Sequence, residues 1–197
     1  LKENGVNRVN VSLDHLDPNK FKEITRWGDL NKVIAGIKKA KNVGIKVKIN
    51  TVALKDFNEK NIVEIIEWCS SNECDLTLIE VMPMGDIGSE NRFNQYLPLS
   101  KVKETLSKSF KLTNIPKKTG GPARYYKIEG KKIDLGFITP LTHNFCETCN
   151  RVRLTCTGIL YMCLGQDDNV NLKDILRNKG LSHLENSLFK AILKKPK

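Results

Sequence analysis

Residues 30–52, LNKVIAGIKKAKNVGIKVKINTV, change periodicity part-way along, and that change decides the fold. Leu30, Val33, Ile34, Ile37 and Ala40 recur at helical spacing, and the stripe stops at Gly44. From Ile45 the period becomes two, with Ile45, Val47 and Ile49 alternating against Lys46, Lys48 and Asn50, as in a strand running to Val52. Upstream, residues 8–14 alternate Val9, Val11 and Leu13 against Asn10, Ser12 and Asp14. Downstream, Ile62, Val63, Ile65, Ile66 and Cys69 form a second helical stripe, and residues 75–82 read as a third strand. Strand, helix, strand, helix, strand predicts parallel βαβ units and an α/β fold. Helices then cover one sheet face, so the polar face of each strand looks into an interior open at the carboxyl ends, where a ligand fits. Lys48 lies on that face, and a desolvated lysine there costs several kcal/mol unless an anion or solvated cavity accompanies it.

Residues 85–96, GDIGSENRFNQY, read as a polar linker, which divides the chain into 1–96 and 97–197. Beyond it, Leu99, Val102, Leu106 and Phe110 give a helical stripe with Ser100 as the expected N-cap. Residues 124–128 and 132–138 are expected to pair as a hairpin around Glu129-Gly130. Arg124, just after a Gly-Gly-Pro stretch, suits a turn before a strand better than a phosphate contact. Residues 172–177 and 184–193 read as two helices.

Residues 145–163, FCETCNRVRLTCTGILYMC, set Cys146, Cys149 and Cys163 in a C-x2-C-x13-C pattern. The first pair can turn both thiolates toward one centre, and the chain can run out, turn at Thr157-Gly158 and return with the third. Three thiolates leave two readings open: a zinc site completed by His143, or an iron–sulfur cluster with one iron lacking a protein thiolate. Arg151 and Arg153, two apart, would share a strand face opposite Val152 and Leu154, and guanidinium groups beside an open metal position suit an anionic ligand. Cys69, Cys74 and Cys156 read as packing residues.

The 197 residues, 40% of them hydrophobic, suffice for a core. No apolar run approaches the roughly 20 residues of a membrane span, and no signal-peptide pattern opens the chain. Six cysteines without an export signal are thiols or ligands, which places the chain in the cytoplasm. The net charge of +11 comes from scattered lysines with no interleaved aromatic residues, so it reads as a solvated surface and neither nucleic acid nor membrane is expected as a partner.

The runs THNFCETCNRVRLTCTGILYMCLG, GGPARYY, GFITPLTHNF, NRVNVSLDHLDP, GIKVKIN and LIEVMPMGDIG together resemble the GTP 3′,8-cyclases of molybdenum cofactor biosynthesis, a family of radical S-adenosylmethionine enzymes, over nearly the whole chain. The resemblance implies that 1–96 is the later part of a partial (βα)6 TIM-like barrel and 97–197 an α+β region with a cluster-binding hairpin. It implies a [4Fe–4S] cluster on Cys146, Cys149 and Cys163, contacts to S-adenosylmethionine from Ser12 and Met82, and contacts to GTP from Lys48, Arg151, Val152 and Arg153. The implied reaction converts GTP to (8S)-3′,8-cyclo-7,8-dihydroguanosine 5′-triphosphate, the first step of molybdopterin biosynthesis. Cyclic pyranopterin monophosphate synthase would act downstream, and a homodimer is compatible. Relatives place Arg where this chain has Thr77. They also carry a C-x3-C-x2-C motif for a second [4Fe–4S] cluster and a tail ending in two glycines. Neither occurs in these residues, and the chain starts at Leu1, so it reads as a fragment that is expected to be inactive alone. Two rival readings of the hairpin are a zinc-ribbon-like nucleic-acid module and an electron-transfer domain without substrate.

Overall fold

The change of period at Gly44 marks a real boundary. In the computed structural model, which describes residues 1–82, 94–143, 145–163 and 165–195, helix α2 (Leu30–Asn42) gives way through Gly44, at φ 75°, to strand β2 (Lys46–Ala53). A left-handed backbone there suits glycine, which has no Cβ to clash. Strand β1 (Arg8–Ser12) pairs parallel with β2, and β2 with β3 (Asp75–Glu80), through helix α3 (Ile62–Ser71). The sequence reading passed over α1 (Pro18–Thr25), although its start is well marked. Asp17 caps it by accepting from the Asn19 and Lys20 amides at 2.8 and 2.9 Å, and Pro18 occupies the first turn. Asp29 caps α2 in the same way.

The hairpin expected in the second half joins this sheet. Strands β5 (Arg124–Ile128) and β6 (Asp134–Ile138) are antiparallel to each other, but β6 runs parallel to β3, and β4 (Leu112–Ile115), which had no sequence signal, adds to β5. The order is β1-β2-β3-β6-β5-β4, a mostly parallel mixed sheet. Compact packing accordingly runs from Leu1 to Asn144 and resumes at Phe145–Lys197, so the division at 96/97 falls inside the first unit. Most of the polar linker read at 85–96 lies outside the described residues. Helix α4 (Leu99–Ser109) forms where expected, but Ser100 does not cap it: Pro98 is the N-cap, and the Leu99 amide donates to the Glu80 carboxylate at 3.1 Å.

Register explains the two faces of the sheet. Ile49, Leu76 and Leu135 form one row, and Leu78 and Phe137 lie in another on the same face. They share a buried cluster with Ile37, Ile65, Ile66 and Leu106 of the helices. The opposite face carries Asn10–Lys48–Asp75 in one row and Ser12–Asn50–Thr77–Gly136–Tyr125 in another. Asp134 anchors this second face. It accepts from Lys117 at 2.6 Å and pairs with Lys127 at 2.5 Å, while Lys117 also reaches Asp75 at 2.7 Å. Burial pushes the Asp134 carboxyl up, but the two ammonium groups outweigh it and hold it below the ordinary value. A depressed carboxyl contributes stability above its unfolded pKa, about 3.9, and loses it as pH falls through the lower folded value. Urea midpoints are therefore expected to drop below about pH 4 in the parent and to drop less in Asp134→Asn.

Residues Phe145–Lys197 form the second unit. Strands β7 (Arg153–Leu154), β8 (Ile159–Tyr161) and β9 (Asn169–Asn171) make an antiparallel sheet. Helices α5 (Leu172–Lys179) and α6 (Leu181–Leu193) supply Leu172, Leu184, Leu188 and Ala191, which pack with Leu160 and Met162. Both helices were expected, and each is longer than its apolar stripe. No helix of the described residues is long and apolar enough to cross a membrane.

Candidate functional site

The first unit offers a polar sheet face whose side chains are only partly satisfied by the protein. Ser12 and Lys48, from β1 and β2, share it, and Met82 follows β3, two residues past its carboxyl end. Ser12 is exposed, and Met82 is 37% exposed. Lys48 is only 9% exposed and forms no ion pair among the described residues. Asp75, its neighbour in register, is occupied by Lys117 and by the Asp134 amide. The Lys48 ammonium instead donates one long bond, 3.4 Å, to the Tyr125 hydroxyl. Beside it, the Asn50 Oδ1 is buried without a hydrogen-bond partner. A buried ammonium lacking an anion and a buried amide oxygen lacking a donor are both costly, and a ligand with anionic and N–H or O–H groups would satisfy them.

Tyr125 was not singled out in the sequence, and nothing local marks it. Its hydroxyl also bonds Thr119 Oγ1 at 2.9 Å. Burial pushes the phenol up, but the Thr119 hydroxyl, the Lys48 ammonium and the Thr77 hydroxyl together bring it below its ordinary value. Thr77 is fully buried on this face.

The carboxyl ends of β1 and β2 are locked by residues the pattern did not reveal. Asn58, fully buried, accepts from the Leu54 amide and donates to the carbonyls of Asp14 and Val52, each at 2.8 Å. Asp14 accepts from the Val52 amide at 2.7 Å; burial nonetheless pushes its carboxyl up.

In the second unit, a 3₁₀ turn at Cys146–Thr148 returns the Cys149 amide to the Cys146 carbonyl at 3.1 Å, as a C-x2-C pair requires. Arg153 pairs with Tyr161 and Leu154 with Leu160, so Cys163, two residues past Tyr161, leaves the hairpin at the end from which Cys149 enters. The far end is the turn at Thr155–Gly158, where Gly158 is obligatory: its φ is 82°, and a Cβ would meet the Lys173 side chain at 2.6 Å. Cys156 sits in that turn and is exposed, so it is not the packing residue expected. Cys69 and Cys74 are packing residues, fully buried, and desolvation raises both thiols above their ordinary value.

Cys146, Cys149 and Cys163 are free and reach the surface to differing degrees. They share one end of the hairpin without converging: among the described residues, no three His, Cys, Asp or Glu side chains form a group able to hold a metal ion. His143, the alternative fourth ligand, is exposed, and its amide donates to the Thr139 carbonyl. Strand β7 holds only Arg153 and Leu154, so Arg151 and Val152 precede it and the shared strand face expected for the two arginines does not form. Both arginines are exposed, with Arg153 Nη1 3.5 Å from the Val152 carbonyl. As a donor set, three accessible thiols on one short loop and hairpin fit a soft metal centre.

Comparisons with known proteins agree along the whole chain. Proteins named GTP 3′,8-cyclase from Brucella ovis and Brucella melitensis are 57% and 56% identical to it over 198 aligned positions, covering 100% of the chain. The chain spans 57% of the length of these relatives. The crystal structure of Streptococcus suis SuiB bound to S-adenosylmethionine superposes with a TM-score of 0.58 over 88% of the chain and 43% of SuiB. At 16% identity, that likeness concerns the fold. Residues 1–69 match the Radical SAM superfamily model. Residues 74–197, well over half the chain, match the model named Molybdenum Cofactor Synthesis C, and the chain belongs to that family.

Proposed function

We propose that the chain is the substrate-binding part of a radical S-adenosylmethionine GTP 3′,8-cyclase, which makes (8S)-3′,8-cyclo-7,8-dihydroguanosine 5′-triphosphate from GTP. The observation that carries this reading is the likeness along the whole chain to proteins named for that reaction. The sheet of the first unit would be the later part of a partial (βα)6 barrel, with Ser12 and Met82 toward S-adenosylmethionine at its carboxyl end. Lys48 would pair with an anionic group of the nucleotide, which removes the cost of its uncompensated burial. Cys146, Cys149 and Cys163 would hold a [4Fe–4S] cluster, which when bound supplies a Lewis-acidic iron with one position free of protein thiolate. Arg151 and Arg153 would donate forked hydrogen bonds to phosphate or base edges, with Val152 against the purine. A first cluster held elsewhere in the full-length protein would supply the radical chemistry, while this part positions and neutralises the nucleotide. Cyclic pyranopterin monophosphate synthase would consume the product.

Arginine replacement tests the reading. Arg151→Ala and Arg153→Ala are each expected to weaken GTP binding by about tenfold, since a hydrogen bond to a charged group is worth roughly 1.5 to 3 kcal/mol, with cluster iron unchanged. Affinity within about twofold of the parent for both would place them as surface arginines of a hairpin.

A further inference from the structure

We propose that Tyr125 is a positioning residue that holds the Lys48 ammonium against the polar sheet face, ready for the nucleotide's anionic group. The inference rests on Lys48 as a nucleotide contact and adds how that contact is aimed. A lysine side chain has four rotatable bonds, and among the described residues this one is held by its hydrogen bond to the Tyr125 hydroxyl, with no ion pair. The hydroxyl is itself immobilised. Thr119 Oγ1 bonds it at 2.9 Å, and the tyrosine is 1% exposed, with the Lys117 ammonium 5.1 Å from its ring centre. The phenol oxygen accepts from Lys48, and its bond to the Thr119 hydroxyl uses the remaining hydrogen-bonding capacity of the two hydroxyls.

The sheet makes room for this arrangement. Tyr125 is opposite Gly136, and Gly136 is opposite Thr77. A Cβ at position 136 would meet Tyr125 Cε1 at 2.9 Å and Thr77 Oγ1 at 3.0 Å. The ring therefore lies across the glycine toward Thr77, and a short side chain at 77 leaves the space where a longer one would compete. Gly136 lies within a strand and its φ is not positive, so close approach of the ring, and not backbone freedom, accounts for it.

The test is GTP affinity of the anaerobically reconstituted full chain for the parent, Lys48→Ala, Tyr125→Phe and the double variant. Phenylalanine keeps the ring and its packing, and circular dichroism checks the fold. Lys48→Ala is expected to weaken GTP by about tenfold and Tyr125→Phe by about fivefold, with the double no weaker than Lys48→Ala alone. Thr119→Val, which removes the other anchor of the hydroxyl, is expected to weaken GTP in the same direction by a smaller factor. If Tyr125→Phe binds as the parent does, or if the two effects multiply in the double variant, the positioning role is overturned while Lys48 keeps its contact. If Lys48→Ala binds as the parent does, the reading of Lys48 falls, and the inference with it.

Discussion

Serine in place of Cys146, Cys149 or Cys163 is expected to remove the iron that the parent retains after anaerobic reconstitution, whereas serine at Cys69, Cys74 or Cys156 leaves it in place. The separation follows from position. The first two of the former set lie at a single 3₁₀ turn, and the third leaves the same end of the hairpin, with all three sulfurs free. Cys156 lies at the opposite end, in the Thr155–Gly158 turn. Cys69 and Cys74 are fully buried in the core of the other unit, with thiols raised by desolvation and so poor thiolate donors. Serine at these two places a hydroxyl among apolar neighbours, at a cost of about 1 to 3 kcal/mol, so the fold is checked in parallel by circular dichroism. Iron lost from a folded Cys69, Cys74 or Cys156 variant would move the cluster elsewhere.

Glu80→Ala is expected to cost the first unit roughly 3 to 5 kcal/mol of unfolding free energy, the largest stability effect of any single change considered. Glu80 is 1% exposed at the carboxyl end of β3. Its carboxylate accepts from the Leu99 amide at the start of α4 and from the amides of Leu141 and Thr142, each at 3.1 Å, and from the Thr142 hydroxyl. Alanine leaves the buried Leu99 amide and the part-buried amides of Leu141 and Thr142 without their acceptor, together with a cavity, while the Thr142 hydroxyl keeps only Tyr96. Glu80→Gln keeps the volume but turns an acceptor-only group into one with an N–H2 that meets donors, so about half the loss is expected. Urea unfolding at neutral pH gives the comparison. A loss below about 1 kcal/mol for Glu80→Ala would mean that the three segments are held together without the carboxylate.

The chain displays its local elements in its sequence, and not the contacts between distant segments. The βαβ order was legible because each element advertises its own period: Val47 and Ile49 alternate with Lys48 and Asn50, and Leu30 to Ile37 repeat at helical spacing. The cysteine turn was legible for the same reason, since C-x2-C describes a single turn. Pairings between distant segments were not. That β6 would lie parallel to β3 depends on hydrogen bonds across some sixty residues, so the hairpin looked like the start of a separate region. Glu80 displaces Ser100 as the group that satisfies the start of α4 from 19 residues away. Tyr125 reaches Lys48 across 77 residues, and a tyrosine in an RYYKI strand carries no sign of which residue its hydroxyl will meet. Strand β4 is four residues long, with two of them exposed, too short for alternation to register.

In the proposed reading, GTP binds beside the cluster of the cysteine hairpin. The most direct test is the electron paramagnetic resonance spectrum of the reduced, reconstituted chain recorded with and without GTP, with Arg151→Ala and Arg153→Ala as comparisons. GTP is expected to shift the cluster signal of the parent, and to shift that of either arginine variant only at higher GTP concentration. A cluster signal identical with and without saturating GTP would contradict that reading and leave the hairpin as an electron-transfer or structural site.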